Sequence, residues 1–101
     1  GVGVGSQIVS GEVQLLADER DLVKNPIRKG AIVVARSIAA DEVNLVRDAG
    51  AVVVESADSD APICKAAAEL NLPVVYGCQD VTSILKDGAV VTVDAGRGTI
   101  N

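Results

Sequence analysis

The hydrophobic pattern of the chain is dominated by short runs of β-branched and aliphatic residues. The two clearest runs are AIVVA at 31–35 and AVVVE at 51–55, and a third, VVY, stands at 74–76. Apolar runs of this length without alternation are typical of strands that are buried on both faces of a sheet. The pattern therefore predicts three central strands.

The two ends of the chain carry weaker strand signals. Residues 7–16 alternate only in part, and the step from Ser10 to Gly11 predicts two short strands separated by a bulge or bend. Near the other end, the run at 89–93 predicts a strand, and the segment 94–100 predicts a glycine-containing turn that returns the chain in a final strand. The sheet is thus expected to gain short strands at both ends.

Two segments have the spacing of helices. Residues 39–49 place apolar side chains at helical intervals, and Gly50 follows where a C-terminal cap is expected. A second helix is predicted to end at Pro73, and a further helical turn is predicted over 80–85. The apolar face of the second helix comprises Ile63, Ala66, Ala67 and Leu70.

The order of these elements predicts an α/β fold. Strands and helices alternate through the middle of the chain, and right-handed crossovers make such strands parallel. The polar stretch 17–29 is predicted to be a connection with at most one helical turn. With 101 residues the chain fits a single domain, 1–101, which can bury about two thirds of its surface. Because it lacks methionine, the chain is expected to be part of a longer protein.

Composition and charge narrow the function classes. Hydrophobic residues make up 49% of the chain but only Tyr76 is aromatic, so the core must consist of Val, Ile, Leu and Ala. The net charge of -5 and the scattered basic residues argue against a nucleic-acid or anionic-membrane partner, since either requires clustered cations. No apolar run approaches the roughly 20 residues of a membrane span, so a cytoplasmic setting is expected.

Reactive side chains are few. The chain has no histidine, and Cys64 and Cys78 cannot complete a four-ligand zinc site alone, so no metal site is expected. Both cysteines are predicted to be small buried hydrophobes, and the sequence gives no support for a disulfide between them. The leading GVGVGS precedes the first strand instead of following one, so it is predicted to be a flexible lead-in or a strand edge and not a phosphate loop.

The densest polar group is Asp58, Ser59 and Asp60, directly before the second predicted helix. Ser and Asp are favoured at helix N-termini, where carboxylates also meet the helix dipole, and Pro62 fits the first helical turn. Capping is therefore the leading interpretation of this group. The alternative is a divalent cation, because three oxygen-bearing side chains in a row can supply part of a hard-cation shell.

Several segments together resemble the mobile, or swivelling, phosphohistidine domain of phosphoenolpyruvate-utilising enzymes. The most specific are AAAELNLPVVYG at 66–77, ILKDG at 84–88 and VTVDAGRG at 91–98, and SGEV at 10–13 and KGAIVV at 29–34 fit the same pattern. The resemblance implies an α/β, swivelling β/β/α domain with a central, mostly parallel sheet flanked by helices. A version of this domain is appended to the C-terminus of many bacterial pyruvate kinases, and the VTVDAGRG ending resembles that branch.

Active members of this family carry a G-G-x-T-S-H-A signature before the helix, and its histidine takes phosphate from the substrate. Counted back without gaps from Pro73, the signature falls on 57–63, which reads ADSDAPI here. Pro62 then stands in place of the histidine, and the new carboxylates would repel a phosphate dianion. Cys64 could carry a covalent group only from within or beside the first helical turn.

The resemblance therefore implies a non-catalytic structural or regulatory domain at the C-terminus of a pyruvate kinase. Such a domain needs no cofactor of its own, whereas the parent would use Mg and K ions. The expected partners are the other domains of the parent chain and further copies of the parent in a homo-oligomer. Two alternatives stay open: a small-ligand or cation-binding module of the same fold, and phosphotransfer through Asp58, Ser59 or Asp60.

Overall fold

The computed structural model of the protein describes residues 1–5, 7–16, 27–38, 43, 46–55, 62–79 and 81–100. These residues form seven strands and two helices. In chain order the elements are β1 (Val2–Val4), β2 (Ile8–Leu15), β3 (Ile32–Ala35), β4 (Ala51–Val54), α1 (Pro62–Leu70), β5 (Val74–Tyr76), α2 (Val81–Ile84), β6 (Val90–Asp94) and β7 (Thr99–Ile100).

All seven strands belong to one mixed sheet, in the order β1-β5-β4-β3-β2-β6-β7. The four central strands are parallel, with Val33 opposite Val52 and Val53 opposite Val75, whereas β1, β6 and β7 pair antiparallel. The predicted central parallel strands are therefore confirmed. The predicted layers of flanking helices are not confirmed, since the described residues contain one helix of nine residues and one of four.

The prediction of two short strands separated by a bend near Ser10 and Gly11 is wrong. Residues Ile8–Leu15 form one continuous strand, and what changes along it is the partner. Its first part pairs antiparallel with β6, and its last three residues pair parallel with β3. Gly11 lies near this change of partner. A Cβ there would come 2.6 Å from the carbonyl oxygen of Gly30, so close backbone approach explains this glycine.

The glycine-rich beginning of the chain is a strand edge, one of the two forms predicted for it. Strand β1 pairs with β5 at one end of the sheet. A Cβ on Gly3 would overlap the carbonyl oxygen of Ala95, and a Cβ on Gly98 would overlap the carbonyl oxygen of Gly1. Strand β1 therefore packs against the turn that joins β6 to β7, the two strands at the opposite end of the sheet. The sheet curls until its two ends almost meet, as in a barrel.

The sheet buries an aliphatic cluster on each face, as the shortage of aromatic residues predicts. On one face, alternate residues of β3, β4 and β5, such as Val33 and Val52, pack against Ile63 and Ala67 of α1. On the other face, Val34 and the remaining alternate residues pack against α2 and β6. Complete burial of each such Val or Ile side chain is worth about 1.5–3 kcal/mol relative to its exposure.

The helix predicted over 39–49 is not confirmed. Residues 39–42, 44 and 45 lie outside the described residues. In the remainder, the amide of Val46 donates to the carbonyl of Val43 at 3.3 Å, and the amide of Ala49 donates to that of Val46 at 3.0 Å. These are i to i+3 bonds of tight turns.

Gly50 does not act as the predicted left-handed cap of that segment, because its φ is not positive. Its amide donates to the carbonyl of Ala31 at 2.8 Å, and a Cβ on Gly50 would come 2.7 Å from the carbonyl oxygen of Gly30. The glycine is therefore explained by two backbones passing close together and not by a helix end.

The second predicted helix is confirmed as α1, with Ile63 and Ala67 buried. It ends before Pro73, at Asn71, whose φ of 54° is the left-handed conformation of a helix cap. The amide of Leu72 then donates to the carbonyl of Ala67 at 2.9 Å, which closes the C-terminal turn. This cap was not predicted, although asparagine is the residue after glycine that most readily adopts it.

Candidate functional site at the carboxyl edge of the parallel strands

The parallel strands β3, β4 and β5 end at the same edge of the sheet, at Ala35, Val54 and Tyr76. In open α/β sheets, ligands bind outside the carboxyl ends of such strands. The chain passes this edge at Glu55, after β4, and is described again from Pro62 as α1; the acidic segment 56–61 connects the two. The candidate site residues Asp58, Ser59 and Asp60 lie outside the described residues, so their predicted roles as caps or ligands stay predictions.

Pro62 is the one candidate site residue that the structure describes. It is the first residue of α1, as predicted, and its side chain is exposed. Proline suits this position because the first helical amides have no partner within the helix and the ring sets φ near the helical value. The ring offers neither a nucleophilic atom nor a proton to transfer, so Pro62 itself cannot accept a phosphoryl group.

Glu55, the last described residue before the loop, is fixed by two hydrogen bonds. Its amide donates to the carbonyl of Ala35 in β3 at 3.2 Å. The hydroxyl of Thr82 in α2 donates to the Oε2 atom of Glu55 at 2.9 Å, and both side chains are half-buried. The start of the loop is therefore held against a strand and a helix.

Sequence reasoning did not single out Glu55 or Thr82. Glu55 entered only as the end of an apolar run, and Thr82 only as part of a predicted helical turn. A usable signal was present, since a carboxylate that directly follows a buried strand needs a partner for its charge. The identity of that partner was not readable, because Thr82 is 27 residues further along the chain.

Arg36 and Ser37 follow β3 at the same edge, and both are exposed. The polar side chains at the described part of this edge thus include Arg36, Ser37, Tyr76 and the Glu55–Thr82 pair. Among the described residues, no three His, Cys, Asp or Glu side chains come together as metal ligands would.

Both cysteines are buried, as predicted, each with 8% of its surface exposed, and neither forms a disulfide. Cys64 packs with the cluster under α1, and Cys78 belongs to the cluster on the opposite face. Burial raises the pKa of the Cys78 thiol above its ordinary value of 9.0, which keeps the sulfur protonated at neutral pH. Cys78 is therefore a poor nucleophile in the folded protein.

A family model described as the mobile domain of PEP-utilising enzymes matches residues 27–98. This chain belongs to that family. The mobile domain predicted from the segments around 66–98 is thereby confirmed, and the matched region includes every strand of the parallel centre except β2.

Curated relatives of this mobile domain include a phosphoenolpyruvate synthase and a pyruvate kinase. A probable phosphoenolpyruvate synthase of Archaeoglobus fulgidus is 32% identical over 99% of this chain, which spans 13% of that protein. A pyruvate kinase of Bacillus licheniformis is 30% identical over 99% of this chain, which spans 17% of that protein. The mobile domain thus corresponds to a small part of each of these relatives.

The fold of the mobile domain also occurs in a solved structure of similar size. The solution structure of a UPF0107 protein matches with a TM-score of 0.72 and 15% identity, over 99% of this chain and 94% of that one. At this identity the likeness concerns the fold alone. It extends beyond the family-model match to include β1, β2 and β7.

The described helices of the mobile domain are too short to cross a membrane.

Proposed function

We propose that this mobile domain is a non-catalytic structural or regulatory C-terminal domain of a pyruvate kinase. In such a parent, phosphate passes from phosphoenolpyruvate to ADP in another domain. The observation that carries the proposal is Pro62: the helix and the strands around the signature position are intact, yet the residue counted to that position has no atom that can accept phosphate.

In this role the domain acts through the surfaces that it presents to its neighbours. Among the residues that the structure describes, four large hydrophobic side chains are well exposed, namely Val2, Ile8, Ile84 and Val90. Burial of exposed apolar side chains such as Val2 and Ile8 between domains or subunits contributes to assembly and can bias a quaternary equilibrium. The proposed parent is a cytoplasmic homo-oligomer, and its Mg and K ions are held by its other domains.

The absence of phosphotransfer is tested by intact-mass spectrometry at neutral pH, where acid-labile phosphate survives. The full-length parent is incubated with phosphoenolpyruvate, and a mobile domain that retains the histidine signature in its own parent enzyme serves as the positive control. We expect no phosphate adduct on this domain. An adduct on Asp58, Ser59, Asp60 or Cys64 would contradict the proposal in favour of phosphotransfer through another residue.

The structural or regulatory role is tested by deletion of this domain from the parent. We expect the catalytic domain of the parent to keep its chemistry, while the oligomeric state or the saturation curve for phosphoenolpyruvate changes. Light scattering and steady-state kinetics measure the two properties. Identical assembly and identical saturation curves with and without the domain would contradict the proposed role.

A further inference from the structure

An open groove lies between α2 and β7, where the two ends of the curled sheet approach each other. Its volume is about 430 Å³. Its lining contains no charged side chain and comprises Gly1, Cys78, Gln79, Val81, Ile84, Leu85, Gly98, Thr99 and Ile100. An uncharged groove of this kind suits an apolar occupant, because a charged one would lose hydration without gaining a partner.

The wall formed by α2 is largely exposed at its apolar tip. Ile84 is 69% exposed, although it lines the groove beside the half-buried Leu85. The facing wall is β7, which pairs with β6 along one side and borders the groove. A short strand with an unpaired edge beside an apolar groove is a place where an extended peptide can add to a sheet.

The position of Gly1 indicates which peptide is placed to occupy the groove. A Cβ on Gly1 would come 2.5 Å from the sulfur of Cys78 and 2.8 Å from the carbonyl oxygen of Tyr76. On its other side, the carbonyl of Gly1 approaches Gly98 closely. Gly1 thus lies between Cys78 and Gly98, and all three residues line the groove, so a polypeptide leading into Gly1 joins the domain at the groove wall.

We propose that, in the parent protein, the segment leading into Gly1 lies extended in this groove and covers Ile84. This inference rests on the proposed function, in which the domain is the C-terminal part of a longer chain. It is consistent with the relatives, of which this chain spans 13% and 17%. The domain would then be tethered and oriented at the same surface, which restricts its swivelling relative to the rest of the parent.

The test compares two introduced cysteines in the full-length parent, Ile84→Cys in the groove and Val90→Cys as its matched control. The two positions are similarly exposed in this domain, at 69% and 73%, but Val90 does not line the groove. We expect a maleimide to label Ile84→Cys at least about tenfold more slowly than Val90→Cys, because a docked segment must open first. Equal labelling rates would overturn the proposal.

Dilution separates the two possible sources of protection. A segment of the same chain protects Ile84→Cys independently of protein concentration, as we expect. Protection that disappears on dilution would show that a second copy covers the groove and would also overturn the proposal. Equal labelling combined with altered assembly after deletion of the domain would reject this inference while leaving the proposed function in place.

Discussion

The hydroxyl of Thr82 donates a 2.9 Å hydrogen bond to the carboxylate of Glu55 and thereby connects α2 to the end of β4. Glu55 lies two residues before the segment 57–63, which the gapless count predicts to correspond to the phosphate-carrying loop of active family members. The groove that α2 lines and the loop that Glu55 begins are therefore joined by one side-chain contact.

Substitution of Thr82 by valine removes the donor and leaves a half-buried carboxylate without this partner. We expect the free energy of unfolding to fall by about 1–2 kcal/mol, the range for a hydrogen bond to a charged group that is partly accessible to water. Urea denaturation of the wild type and of Thr82→Val measures the difference. Thr82→Ser, which keeps the hydroxyl but loses the methyl group, should lose less than half as much. A Thr82→Val variant as stable as the wild type would contradict the contribution of this hydrogen bond.

Substitution of Gly3 by alanine tests the near-closure of the sheet. The added Cβ would overlap the carbonyl oxygen of Ala95, so β1 must shift, and we expect a loss of about 2–3 kcal/mol of stability. Gly5→Ala is the matched control. Gly5 has a φ of 95° but no atom within 4 Å of an added Cβ, so only backbone strain of about 1–2 kcal/mol is expected there. A smaller loss for Gly3→Ala than for Gly5→Ala, measured by urea denaturation, would contradict the contact between β1 and Ala95.

Substitution of Asn71 tests the cap that ends α1. Alanine tolerates the φ of 54° less well than asparagine, and Asn71→Ala also removes the acceptor of a 3.3 Å bond from Gln7. We expect Asn71→Ala to cost about 1 kcal/mol, while Asn71→Gly stays within about 0.5 kcal/mol of the wild type because glycine adopts this conformation freely. Thermal unfolding followed by circular dichroism measures both. Equal destabilisation by the two substitutions would assign the cost to the lost bond from Gln7.

The buried thiol of Cys78 makes stability dependent on alkaline pH. Burial raises its folded-state pKa above 9.0, so between the unfolded and folded values the folded protein holds the proton more often than the unfolded chain does. The stability that this provides is fully present below about pH 9 and is lost as the pH rises through the folded-state pKa. We expect the difference in stability between the wild type and Cys78→Ala to shrink above pH 9. A difference that stays constant with pH would contradict this origin.

Much of the central sheet was predictable because its signal is local. The runs at 31–35 and 51–55 are apolar at every position that becomes a strand, and this pattern occurs where both faces of a strand are covered. The family could be predicted for a similar reason, because each segment that resembles it is a short run of consecutive residues. The helix expected over 39–49 stays a prediction, because residues 39–42, 44 and 45 lie outside the described residues.

The sequence by itself determined the parallel centre of the sheet, the aliphatic core, the helix α1 and the proline at its start. The tertiary structure alone decided that β2 changes partners within one continuous strand, that Gly3 meets Ala95, and that Thr82 bonds to Glu55. The physical reason is sequence separation. Strand and helix signals reside in residues a few positions apart, whereas each of these contacts joins distant parts of the chain, and only the packing of all elements together places the two partners within reach.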